Sequence, residues 1–181
     1  MDRYVVFDVE TTGLSPARGH RIIEIGAVAL WEKEFVSEFH SLINPGRSVP
    51  KIVQEIHGIA NEMLINEPLT EEVIPKFRSF LGTGVIIAHN AKFDLSFLRN
   101  EFRRLGFGLA NRHLCTLDMS KKLCPDLPNY RLETVYEHLF GNFEESKVNR
   151  HRALDDARLT AEIWLELERR GALSFLNVGK K

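Results

Sequence analysis

The chain has 181 residues, 44% hydrophobic and 27% charged, with a formal net charge of −1. This composition excludes a disordered or fibrous chain and suits one soluble globular domain whose core is large enough to need no disulfides. Near-neutrality, with a sequence pI of about 6.7, excludes a protein that coats duplex nucleic acid by counterion release, so any nucleic acid would be held locally.

No apolar run approaches the roughly 20 residues that span a bilayer, and Met1-Asp2-Arg3 lacks the apolar stretch of a signal peptide. A cytoplasmic location with no membrane partner is therefore expected. Cys115 and Cys124 lack metal-ligand spacing and are expected to be buried free thiols. The basic groups Arg99, Arg103, Arg104 and Lys147, Arg150, Arg152 read as solvated helix faces.

In chain order, residues 4–10 form a short β-branched run broken by Thr11-Thr12-Gly13-Leu14-Ser15-Pro16, a strand entering a loop. Runs over 22–31 and 35–43 follow closely, so three strands in succession imply an antiparallel meander. Helical spacing then appears over 51–56 and 69–81, the latter through Val73, Ile74, Phe77, Phe80 and Leu81. The apolar run 85–88 reads as a buried central strand. A helix striped by Phe93, Phe97, Leu98, Phe102 and Leu105 comes next. The pattern predicts a strand over 113–118, a helix over 132–140 and a long helix over 153–170. The order βββ then αβαβα gives an α/β fold with a mixed sheet covered by helices.

Three acidic sites stand out. Alternation along the first strand puts Asp8 and Glu10 on one face and Phe7 and Val9 on the other. Two carboxylates on a strand built for burial are costly unless neutralised, and a bound cation is one remedy; solvent exposure of the strand end is the ordinary alternative. The second site follows the strand 85–88, where His89-Asn90-Ala91-Lys92-Phe93-Asp94 enters a helix. Taken alone, Asp94 is explained by the helix dipole. The third is His151-Arg152-Ala153-Leu154-Asp155-Asp156, where the helical wheel turns Asp156 toward the apolar stripe and Asp155 toward solvent.

Together, Phe7-Asp8-Val9-Glu10-Thr11-Thr12-Gly13-Leu14, the segment from His89 to Asp94 and the segment from His151 to Asp156 resemble the three motifs of the DEDDh, or DnaQ-like, 3′→5′ exonuclease family, in the family's order and over essentially the whole chain. His151 stands five residues before the last Asp, as in DEDDh members. DEDDy members carry a Tyr four before it, where this chain has Arg152. The stretches Leu42-Ile43-Asn44-Pro45-Gly46 and Ile56-His57-Gly58-Ile59 resemble the proofreading branch, the epsilon subunit and exonuclease domain of bacterial DNA polymerase III.

The resemblance implies a ribonuclease H-like mixed sheet, three antiparallel strands then two parallel ones. It implies a single exonuclease domain over 1–175 and a frayed tail over 176–181. It further implies two divalent metal ions, Mg²⁺ or Mn²⁺, held by Asp8, Glu10, Asp94 and Asp156, with His151 as general base. Thr11 and Thr12 would receive the terminal nucleotide and Leu14 would wedge against its base, with His57 and Asn90 as further contacts. The implied partners are the 3′ end of a single-stranded nucleic acid and a DNA polymerase subunit.

Competing readings stay open. RNA-degrading relatives share this chemistry, and the 2′-hydroxyl contacts that separate RNA from DNA are not legible here. An Asp-x-Glu-Thr strand end also resembles the D-x-D-x-T of haloacid-dehalogenase-type phosphatases, imperfectly at Glu10, although that fold needs a parallel, doubly wound sheet. A binding module without catalysis would need a broken member of the set, and all five are present. Neither the C-terminal tether of an epsilon subunit nor a Gln-led clamp peptide is expected, Gln54 being the one glutamine.

Overall fold

The structure, a computed structural model, describes residues 3–141 and 151–176. Its centre is a five-stranded sheet in the order β3-β2-β1-β4-β5. Strands β1 (Tyr4–Thr11), β2 (Ile22–Trp31) and β3 (Glu34–Leu42) form the antiparallel meander, while β4 (Val85–Ala88) and β5 (His113–Cys115) add in parallel beyond β1. Seven α-helices accompany them among the described residues: α1 (Lys51–His57), α2 (Asn61–Leu64), α3 (Thr70–Leu81), α4 (Ala91–Arg104), α5 (Thr116–Leu123), α6 (Leu132–Phe140) and α7 (Ala153–Arg169).

Alternation along β1 divides the core into two layers. Val5, Phe7 and Val9 pack with Val73, Ile74 and Phe77 of α3 and with Leu95, Phe97, Leu98 and Phe102 of α4. Val6 faces the other way, with Val28, Leu30 and Ile87, onto Ala157, Ala161, Trp164 and Leu167 of α7. Covered on both faces, β2 reads Ile-Ile-Glu-Ile-Gly-Ala-Val-Ala-Leu and is buried until Trp31, whereas the edge strand β3 is mostly exposed.

The seam between α7 and β2 leaves no room for a side chain at Gly26. A Cβ added at Gly26 would lie 2.0 Å from the Leu154 nitrogen and 2.2 Å from the Ala153 carbonyl carbon. Only glycine lets the first turn of α7 rest on the strand at this register. Across the sheet, the β1–β2 loop is tied down by Arg21, whose Nε and Nη2 lie 2.6 and 3.0 Å from the buried Glu101 carboxylate of α4.

Several expectations need correction. The strand predicted over 113–118 ends at Cys115. Its partner β4 pairs only Ile86, Ile87 and Ala88 with it, so from Thr116 the backbone has no ladder and closes its hydrogen bonds within α5, turning Met119 inward. Helix α5 and the short α2 were not anticipated. Cys124 is buried but Cys115 only half-buried, because it caps an edge strand. Arg152 is no solvated face: it turns in on Glu24. Lys147, Arg150 and the tail from 177 onward lie outside the described residues. No helix among the described residues is long and apolar enough to cross a membrane.

The seam predicts a contrast between two glycines. Gly26→Ala should lower stability by about 3 kcal/mol in urea melts, since backbone cannot move aside as a side chain can. Gly108→Ala, where an added Cβ meets nothing within 4 Å, should change it by less than about 0.5 kcal/mol.

Candidate active site

The C-terminal half of β1 delivers the first two carboxylates. Asp8 and Glu10 stand opposite Gly26 and Glu24 of β2, on the face that α7 covers, before a register shift between Glu10 and Thr11 ends the regular ladder. Asp94 arrives from the other layer. At the end of β4, Asn90 takes a left-handed conformation (φ 62°) that turns the chain into α4, and Asp94 sits in that helix's first turn, buried to 2% exposure. Asp156, in the first turn of α7, and His151, two residues before that helix, complete the group. Ligand atoms of Glu10, His151 and Asp156 all lie within 4.8 Å of one another. All five residues singled out from the motifs thus meet at one end of β1.

Their electrostatics follow from crowding. Burial pushes the Asp8 carboxyl well above its ordinary value, and Asp94, Glu10, Asp156 and Glu24 push it further. Glu10 is raised to about 9, first by burial and then by Asp156, Glu24 and Asp94, with Arg152 opposing. Asp94 is raised to about 8 by burial, against backbone hydrogen bonds from its own N–H and that of Val9, with Asp156 adding to the rise. Hard carboxylate oxygens placed where protein groups neutralise them poorly form a donor set suited to Mg²⁺ or Mn²⁺.

Glu24 was not anticipated. It is fully buried near the start of β2. Arg152 reaches it with Nη2 at 2.8 Å and Nε at 3.1 Å, His40 Nε2 lies 2.7 Å away, and the Ala153 N–H donates to Oε2 at 3.0 Å. Burial raises its carboxyl, but the hydrogen bonds from Arg152, His40 and Ala153 bring it below the usual value. The sequence signal was a lone acid inside an otherwise apolar strand.

The remaining candidates fall around this centre. The Thr11 hydroxyl donates to the Gly13 carbonyl at 2.7 Å, and the buried Thr12 hydroxyl accepts from the Arg21 N–H at 3.0 Å, so both side chains hold the loop that carries Leu14. Leu14 itself is 86% exposed and packs against nothing that would explain it as core. His57 is buried, its Nδ1 accepting from the Ile59 N–H at 3.0 Å, which fixes the hydrogen on Nε2. Burial lowers its pKa, so it stands as a neutral donor. Asn90 is exposed and shares with Asp8, Asp156 and His151 the wall of a groove of about 740 Å³. That groove runs on past Lys121, Tyr130 and Arg131, none of which the motifs indicated.

The raised carboxyls make a prediction for metal-free protein. A folded-state pKa above the unfolded one adds stability that is present at low pH and lost as pH rises through the folded value. For Glu10 and Asp94 that window runs from ordinary values of 4.5 and 3.8 up to about 9 and about 8. The chelated protein should therefore melt progressively lower from pH 5 to 9. Asp8→Asn should raise its melting temperature at pH 8 by about 5 °C, read by calorimetry.

Comparison with known proteins places the chain in a family. A family model described as Exonuclease matches residues 5–164. The chain is 42% identical over 164 residues to a PolC-type DNA polymerase III of Caldanaerobacter subterraneus subsp. tengcongensis, covering 91% of this chain but 11% of that protein. It is 35% identical over 165 residues to the DNA polymerase III subunit epsilon of Aquifex aeolicus, covering 91% of this chain and 79% of that one. The chain thus spans about a tenth of the PolC-type relative and most of the epsilon subunit. Among solved structures, exonuclease X in complex with 5′ overhanging duplex DNA superposes with a TM-score of 0.71 at 26% identity, covering 94% of this chain and 93% of that one. With motifs, sheet order and relatives in agreement, the chain belongs to the DEDDh, DnaQ-like family of 3′→5′ exonucleases, enzymes that act on phosphodiester bonds.

Proposed function

We propose that this protein hydrolyses the terminal phosphodiester bond at the 3′ end of single-stranded or frayed DNA, releasing nucleoside monophosphates in a proofreading or repair role. The observation that carries the reading is the convergence of Asp8, Glu10, Asp94, Asp156 and His151, from both layers of the fold, at one end of β1 beside an open groove. Two divalent cations, Mg²⁺ or Mn²⁺, bound there would stabilise charge on the attacking and leaving oxygens of an in-line displacement. Asp8 would be shared between them, Glu10 and Asp156 would hold the first, and Asp94 the second.

The chain's own groups supply position and proton transfer. A water oxygen forms its bond to phosphorus as the bond from phosphorus to the 3′-oxygen breaks. His151 takes the water's proton, a task an imidazole performs near neutral pH. The departing 3′-oxygen takes a proton from solvent, leaving a shortened strand and a 5′-monophosphate. Thr11 and Thr12 shape the loop that receives the terminal nucleotide, and the exposed Leu14 wedges against its base. The neutral His57 donor and Asn90 contact the strand end. By analogy with its relatives, the domain would serve a DNA polymerase.

A second reading has an observation of its own. His151 lies close enough to Glu10 and Asp156 to ligate a cation with them rather than act as base.

A time course on 5′-labelled single-stranded DNA, beside its RNA equivalent, tests the proposal. With Mg²⁺ or Mn²⁺ the wild type should yield a ladder shortening from the 3′ end, abolished by EDTA and by Asp8→Ala. Activity surviving thorough chelation would remove the metal mechanism, and a stronger RNA ladder would reassign the substrate. His151→Ala should lower kcat by about 10²–10⁴-fold with little change in KM. Loss of Mn²⁺ affinity instead would make it a ligand.

A further inference from the structure

His151 holds a left-handed backbone conformation, φ 58°, one that costs a residue with a side chain free energy. The residues that follow it are both fastened to one group: the Arg152 side chain, through Nη2 and Nε, and the Ala153 N–H all bond the Glu24 carboxylate. Glu24 is fully buried between Ile23 and Ile25 on a strand that tolerates no slip, because Gly26 lies against Ala153 and Leu154.

We infer that Glu24 and Arg152 are a positioning pair that fixes His151 over the carboxylate site; the inference rests on the reading of His151 as general base. Glu24 is not a fifth cation ligand, because hydrogen bonds occupy both of its oxygens. Oε1 receives Arg152 at 2.8 Å and His40 at 2.7 Å, and Oε2 receives Ala153 at 3.0 Å. Stability alone is a poor reason for the pair, since a buried ion pair is often no more stabilising than an apolar pair of the same size. Geometry supplies the better reason. The clamp grips the two residues between His151 and Leu154, which join the imidazole to α7, and it keeps a guanidinium beside Glu10 without spending a site carboxylate on it. At the position where related enzymes carry a tyrosine, this chain has an arginine turned away from the groove and into the strand.

The test is a kinetic cycle with Glu24→Gln and Arg152→Lys, each made in the wild type and in His151→Ala. Should Glu24→Gln melt below the assay temperature, the neutral pair Glu24→Gln/Arg152→Gln, which retains an amide hydrogen bond, replaces it. In wild type each variant should lower kcat by roughly 10–100-fold, with KM for a DNA oligonucleotide and Mn²⁺ affinity by calorimetry both within about threefold. In His151→Ala the same changes should cost less than about twofold, because groups acting through one residue are non-additive. An equal loss in both backgrounds, a loss confined to KM, or a collapse of Mn²⁺ affinity would overturn the assignment, as would wild-type kcat in Glu24→Gln. His151→Ala by itself tests the base, so the two readings fail separately.

Discussion

Four carboxylates brought to one end of a central strand repel one another, and the rest of the architecture can be understood as the means of holding them there. At an effective dielectric of 20 two unit charges 4 Å apart repel by about 4 kcal/mol, a large fraction of a domain's total stability. Asp8 and Glu10 cannot separate, because the pleat of β1 puts both on one face and the sheet fixes the strand on either side. Asp94 and Asp156 belong to helices on opposite layers, each anchored by its own apolar cluster. The metal-free protein relieves the strain by keeping protons on the cluster. On the proposed function, a divalent cation bound there would relieve it more completely and turn a liability into a reaction centre.

Rigid supports surround that centre. Arg21 and Glu101 join the loop after β1 to α4, Gly26 lets α7 rest on β2, and Glu24 grips the entry to α7. Each is a single strong constraint on a segment that carries a site residue. Exposure is left to the projecting Leu14 and to Lys121 and Arg131 of the groove wall.

Period and local order carried much of this into the sequence. Asp8 and Glu10 sharing a face, Phe7 and Val9 turned to the core, and Asp156 rather than Asp155 toward the site all follow from the pitch of a strand or helix, which does not depend on distant contacts. What stayed hidden depended on partners. β5 is short because β4 is short, so no local pattern marks its end. Glu24 reads as an anomaly in an apolar strand until Arg152, 128 positions later, is found beside it. His57 reads from the sequence as a substrate contact, and its burial and fixed tautomer emerge only when the Ile59 N–H is placed on Nδ1. Long-range ion pairs and pairing limits are set by tertiary packing, and a single sequence does not display them.

The family, the sheet order and the crowded carboxylates point to one central claim: the site requires a cation to be fully ionised. Calorimetric titration of Mn²⁺ into the wild type at pH 7, in two buffers of different ionisation enthalpy, tests it most directly, because the difference in heats counts protons released. Mn²⁺ should bind tightly and expel protons from Glu10, Asp94 and Asp8 as it displaces them. Binding without proton release, or no binding at all, would contradict it.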